Sequence, residues 1–224
     1  MRKVILFITA CLLMGTATSH AQLTKEQRKE RKEITKASKS QLNEKASKAA
    51  RKEAKTMKKS GWQTAPGALP IEKQLDKSYM MQYEYDEDMY PKYIMGKAMS
   101  IGGNYDAAKM QALELAKQDL AGQIQTEVTA LVENTVANDQ LSSEEAASVT
   151  RSVIAAKNLI SQSLGRMIPV VEVYRTLSNK NKEVMVRIAY SGNAAKKVAK
   201  DAVRKELEQR GDNLHQKLDE LLGW

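Results

Sequence analysis

Few residues in this chain are suited to chemistry. Its 224 residues include one cysteine and two histidines. Cys11 and His20 fall within the first 21 residues, so His215 stands alone in the remainder. A zinc site draws on several Cys, His or carboxylate ligands. A Ser/His or Cys/His nucleophile needs a positioned histidine beside it. His215 sits next to Leu214 in a helical pattern and reads as a surface residue. No catalytic residue, metal site or cofactor is expected, and neither disulfide nor thiol chemistry.

Three other clusters have the right residue types. Glu84, Asp86, Glu87 and Asp88 form an acidic run, but a calcium loop needs spaced ligands and a turn glycine, so a solvated turn is expected. Paired carboxylates for glycoside cleavage would need a cleft. Between residues 79 and 105 lie Met80, Met81, Met89, Met95 and Met99, with Tyr79, Tyr83, Tyr85, Tyr90, Tyr93 and Tyr105. Thioethers suit copper(I), yet Met95 and Met99 fall at strand spacing and are expected in the core. Aromatic and methionine side chains also enrich interfaces. Tyr83, Tyr85 and Tyr90, with Trp62, are the candidate partner-binding residues, for an envelope protein or for self-association.

The third cluster is cationic. Residues 22–60 hold 14 Lys and Arg against 5 Glu, whereas 61–224 hold 20 against 22 Asp and Glu. The net charge of +9 therefore belongs to one segment. Most of its residues favour helix, and pairs such as Glu26 with Lys29 and Glu44 with Lys48 have helical spacing. Leu23, Ile34, Leu42 and Met57 are too sparse for an apolar stripe, so a solvated, helical or disordered arm is expected. It reads either as a spacer or as an attachment to anionic envelope polymer or lipid head groups through Lys25, Arg28, Lys29, Arg31, Lys32, Arg51 and Lys52. Nucleic acid is disfavoured, because the arm carries no aromatic for base stacking.

The remaining elements are those that must position these clusters. Residues 61–70 (G-W-Q-T-A-P-G-A-L-P) are expected to be a linker. Residues 71–224 are expected to form one α+β domain. Its first part is a short helix passing into the Tyr/Met segment. Lys92 to Ile101 then alternates as a strand, with Tyr93, Met95, Met99 and Ile101 on one face and Ile94, Gly96, Ala98 and Ser100 on the other. A long helix, 105–136, carries Leu113, Leu120, Ile124, Val128, Leu131 and Val132, and its Ala112 and Ala116 permit close approach to a sheet. Asn138 and Asp139 break it. Ser142-Ser143-Glu144-Glu145 starts a second helix, with Gly165 as its cap. Strands at 168–177 and 184–190 form a hairpin. A last helix is expected over 193–222, with Gly211 as a kink. The economical solution is a small three-stranded, mostly antiparallel sheet packed on one face against long helices.

The core pattern resembles a known type. The glycine-ended strand precedes a helix reading A-x-x-x-A-x-x-D-L-A-x-x-I (Ala112, Ala116, Asp119, Leu120, Ala121, Ile124). A second helix and a hairpin beginning V-x-V-Y follow. Over residues 91–192 this resembles the Lpp-twenty-type lipoprotein domain family and is similar to the N-terminal domain of flagellar assembly protein T. The resemblance implies an α+β envelope-protein domain with no known catalytic residues. The basic arm departs from that pattern.

The start of the chain supports an envelope destination. Arg2 and Lys3 precede an apolar run, Val4 to Met14, and Ser19-His20-Ala21 offers small residues for cleavage after Ala21. The run is about half the ~20 residues of a membrane span, and no later segment is long and apolar enough. Ile8-Thr9-Ala10-Cys11 is a competing lipobox, with Cys11 as the lipidated residue. The expected function is a non-enzymatic exported envelope protein, periplasmic or envelope-associated, with partner-binding or structural duty. The alternatives are an enzyme acting on an envelope polymer, or a periplasmic chaperone or scavenger.

Overall fold

Alanine rows decide how the core is built. In the computed structural model, which describes residues 25–87, 89–137 and 141–209, helix α4 (Tyr105–Ala137) lies against strand β2 (Tyr93–Gly102). Ala108, Ala112 and Ala116 are fully buried along the contact. The strand answers with Gly96, whose missing Cβ would stand 2.6 Å from Leu120 Cγ and nearer still to the Ala116 carbonyl oxygen. Small residues on both sides bring the two backbones together.

The sheet has four antiparallel strands, in the order β1 (Gln63–Thr64), β3 (Ile168–Thr176), β4 (Lys182–Ser191), β2. Strands β3 and β4 form the expected hairpin. Its turn is closed by Leu177 N–H donating to Asn181 O at 2.9 Å, with Lys180 at φ +67°. An irregularity between Pro169 and Val171 breaks the strict alternation of β3, so Val170 and Val171 both pack into the same cluster. The fourth strand is β1, inside the segment expected to be a plain linker, paired with Tyr174 and Val173.

Helices cover both faces of the sheet, not one. On the first face, Ile94, Val184, Val186, Ile188 and Tyr190 join Leu120, Ile124 and Val128 of α4. Helix α5 (Ser143–Ser163) packs on α4, and helix α6 (Gly192–Gln209) packs on α5. The start of α5 is a capping box. Ser142 Oγ accepts from Glu145 N–H, and the Glu145 carboxylate accepts from Ser142 N–H at 2.8 Å. Its C-terminal cap is Leu164, so Gly165 is not the cap. Residues 138–140 and 210–224, including Asn138, Asp139, Gly211 and His215, lie outside the described residues, as do 1–24 and Asp88.

The second face belongs to helix α2 (Lys48–Lys59) and helix α3 (Ile71–Gln82). Ala46, Ala50, Ala54, Ile71, Leu75 and Met81 are buried with Val171, Val173 and Ala189. This corrects the expectation that residues 22–60 are polar all round. From Ala46 onward the segment has an apolar stripe made of alanine methyls, and the second of the chain's two compact units begins at Ala46. The first unit contains helix α1 (Lys25–Asn43), followed by Glu44 N–H donating to Ser40 O.

The β3 edge beyond β1 is satisfied by a side chain. Gln74, buried on α3, accepts from Glu172 N–H and donates to Leu69 O, both at 2.7 Å. Gln74→Leu would strand a backbone donor and an acceptor at once. The expected cost is about 2 kcal/mol, read as a lower urea midpoint. A change within about 0.5 kcal/mol would show that water replaces the amide.

Candidate functional site

The Tyr/Met segment is largely outside the core. Tyr83 is 68% exposed and Met89 75%, and Met80, Tyr85 and Tyr90 are exposed as well. A tight turn holds the segment. Asp86 N–H donates to Tyr90 O, Met89 N–H to Asp86 O, and Tyr90 N–H to Asp86 Oδ1 at 2.8 Å. Glu84 pairs with Lys92 at 2.6 Å. The acids Glu84 and Asp86 are thus spent on shaping the turn. Met89 sits at φ +63°, a left-handed conformation that costs a non-glycine residue about 1 kcal/mol, with its side chain facing solvent. Trp62 behaves differently. It is half-buried against the α2–α3 cluster, with the Arg175 guanidinium 4.9 Å over its ring.

The two methionines expected in the core divide: Met95 is half-buried, whereas Met99 is about half exposed, like Ile101 beside it. Met81, on α3, is buried. Alternation placed Met95, Met99 and Ile101 on one face correctly, but the end of that face holding Met99 and Ile101 is left exposed, while α4 covers the opposite face there through Ala108 and Gln111. Among the described residues no group of three or more His, Cys, Asp or Glu could hold a metal ion.

Beside the turn runs a groove of about 560 Å³ along the open edge of β2. Its floor is Ile94 to Lys97, and its walls are Ser78 and Gln82 of α3 and Gln123 and Glu127 of α4. The strand edge here is capped by its own domain. Asp119 accepts from Lys97 N–H at 3.0 Å, and Gln123 donates to Met95 O at 3.0 Å, a device that blunts strand addition. Ser78 Oγ, fully buried at this groove, has no hydrogen-bond partner among the described residues. Across Pro91 lies a second hollow, of about 330 Å³, between α4 and α6. Glu127 lines both. Its apolar surroundings raise its carboxyl above the usual range, against the pull of Lys196. None of Glu84, Asp86 or Glu87 lines either hollow.

Arg187 joins the groove to the second helical layer. It donates to Glu53 of α2 at 3.2 Å, and Glu53 also accepts from the Tyr79 hydroxyl. Burial, then the Glu53 carboxylate, push the Tyr79 phenol up to about 12. An unfolded tyrosine ionises near pH ~10, so the folded state keeps this proton longer. The linked stability is whole below pH ~10 and is lost as pH rises toward about 12. Tyr79→Phe should therefore flatten the fall of the urea midpoint across that window. Parallel curves for the two proteins would contradict this. Tyr105 is held similarly, above its ordinary value, by burial and by Glu172.

The expected cationic residues are exposed: Lys25, Arg28, Lys29, Arg31 and Lys32 on α1, and Arg51 and Lys52 on α2. All six cations of α2 are exposed; Lys58 pairs with Glu72 at 2.9 Å, and the other five are Lys48, Arg51, Lys52, Lys55 and Lys59. At ~100° per residue the five fall within about 100° of arc, opposite Ala50 and Ala54. Glu127, Lys196, Ser78 and Arg187 were not singled out by the sequence. Only Glu127 left a signal there, as a charge between Ile124 and Val128 in the apolar row of α4.

Compared with protein-family models, curated proteins and solved structures, the chain matches none.

Proposed function

We propose that this is a non-enzymatic, exported envelope protein that attaches to an anionic surface and presents its Tyr/Met segment to a protein partner. The observation that carries the proposal is the outer face of α2. Five exposed cations are held on a helix whose opposite side is buried in the domain. Charge fixed in this way meets a polyanionic surface without the cost of ordering a free chain. The exposed tyrosines and methionines around Met89 support the partner-binding role, since such residues enrich interfaces. Among the described residues no helix is long and apolar enough to cross a membrane.

The likeness to Lpp-twenty-type domains belongs to the same proposal. Its support is the order β2–α4–α5–β3–β4, in which the strand, two helices and hairpin follow one another. Export through cleavage after Ala21 belongs to it too.

The test is sedimentation of the purified protein with vesicles of anionic or purely zwitterionic lipid. Binding is expected only to the anionic vesicles. It should be released as the Debye length shrinks from ~10 Å at 0.1 M salt to ~3 Å at 1 M. Equal binding to both vesicles, or binding unmoved by salt, would overturn the electrostatic attachment.

A further inference from the structure

The hollow between α4 and α6 has a chemistry of its own. Ile94, Ile124, Val128, Leu131, Ala195 and Ala199 line it, and all but Leu131 are buried. Its volume of about 330 Å³ is at the low end of small-ligand pockets, roughly 300–1,000 Å³. That suits one short apolar chain or a single ring, and is too small for a two-chain lipid or a helix.

The remaining lining is polar and asymmetric. Lys196 lies with its ammonium 4.6 Å over the Tyr90 ring, which fixes the cation in place. The first turn of α6, through Gly192, Ala195 and Lys196, also lines the hollow. The positive end of that helix dipole adds to the lysine. Glu127 is the opposing group, but it lines the β2 groove as well, and its surroundings disfavour its charge. Asn134 offers a further amide.

We infer that this hollow binds a small amphiphile, with an apolar chain against Ile94, Ile124 and Val128 and an anionic head on Lys196. The inference stands apart from surface attachment, because it uses none of the cations of α1 or α2.

The test is calorimetric titration of the purified protein with decane-1-sulfonate, decan-1-ol and decyltrimethylammonium, each below its micelle concentration. The sulfonate is expected to bind tightest and the ammonium weakest. Lys196→Gln should weaken the sulfonate about tenfold, the scale of one charge-assisted contact, and leave the alcohol within about twofold. Leu131 is half exposed, so Leu131→Trp should fill the mouth without unfolding the domain, and urea midpoints would verify that. It should weaken the sulfonate and the alcohol alike, by about tenfold or more. The inference is overturned if no probe binds, if the ammonium binds best, or if the folded Leu131→Trp protein keeps its affinity. Vesicle attachment should be untouched in both variants, which separates this outcome from the proposal above.

Discussion

Gly96→Ala should destabilise the domain by about 3 kcal/mol, the upper part of the range for overpacked cores. The new methyl would stand 2.6 Å from Leu120 Cγ, 3.2 Å from Ile188 Cγ1, and closer still to the Ala116 carbonyl oxygen. Leu120 could turn aside, but the carbonyl belongs to the backbone of α4. The clash is relieved only by moving the helix off β2, which opens the row of Ala108, Ala112 and Ala116. For a domain of this size the loss corresponds to a fall in Tm of roughly 6–12 °C. Gly103→Ala is the control. Its added Cβ meets nothing within 4 Å and its φ is ordinary, so a change within about 0.5 kcal/mol is expected. If Gly96→Ala were as mild as Gly103→Ala, the close approach would not be what seats α4.

The second large effect concerns binding. Replacing Lys48, Arg51, Lys52, Lys55 and Lys59 together by glutamine should leave the fold intact, because all five are exposed while Ala50 and Ala54 make the contact. A cation near an anionic membrane surface contributes about 1 kcal/mol. Removing five should then lower vesicle affinity by roughly three to four orders of magnitude, with the urea midpoint nearly unchanged. Full retention of affinity would remove α2 from the account and leave the attachment to α1.

The sequence was legible where a pattern ran long enough to have a period. The alternation of β2, the close-packing alanines of α4, the helix start at Ser142 and the hairpin all lie in the structure near where their residues predict them. It was not legible where the signal was a single methyl. In α2 the buried stripe is alanine among lysines, and it becomes a core face only because α3 comes close. Strand β1 has two residues, too short for any period, and its pairing is set by β3. Met99 and Ile101 share a face with Met95 as predicted. Which part of that face is covered depends on α3, whose placement β2 does not encode. The candidate site was half legible. Tyr83, Tyr85 and Tyr90 stand out by composition, and they are exposed. The hollow at Lys196 draws on three separate segments, so no local pattern announces it. Trp62, a linker residue in the sequence, is held by Arg175, 113 positions away in the chain only because β1 pairs with β3.

The most direct test of surface attachment is sedimentation with isolated cell envelopes across a salt series. It compares the protein lacking residues 22–45, which keeps α2, with the same protein carrying the five glutamines. Deleting 22–60 instead would remove Ala46, Ala50 and Ala54 from the core and confound binding with folding. The account predicts that the first form sediments with envelopes at low salt and is released at high salt, and that the second stays in solution throughout. Equal sedimentation of both forms, unmoved by salt, would contradict it.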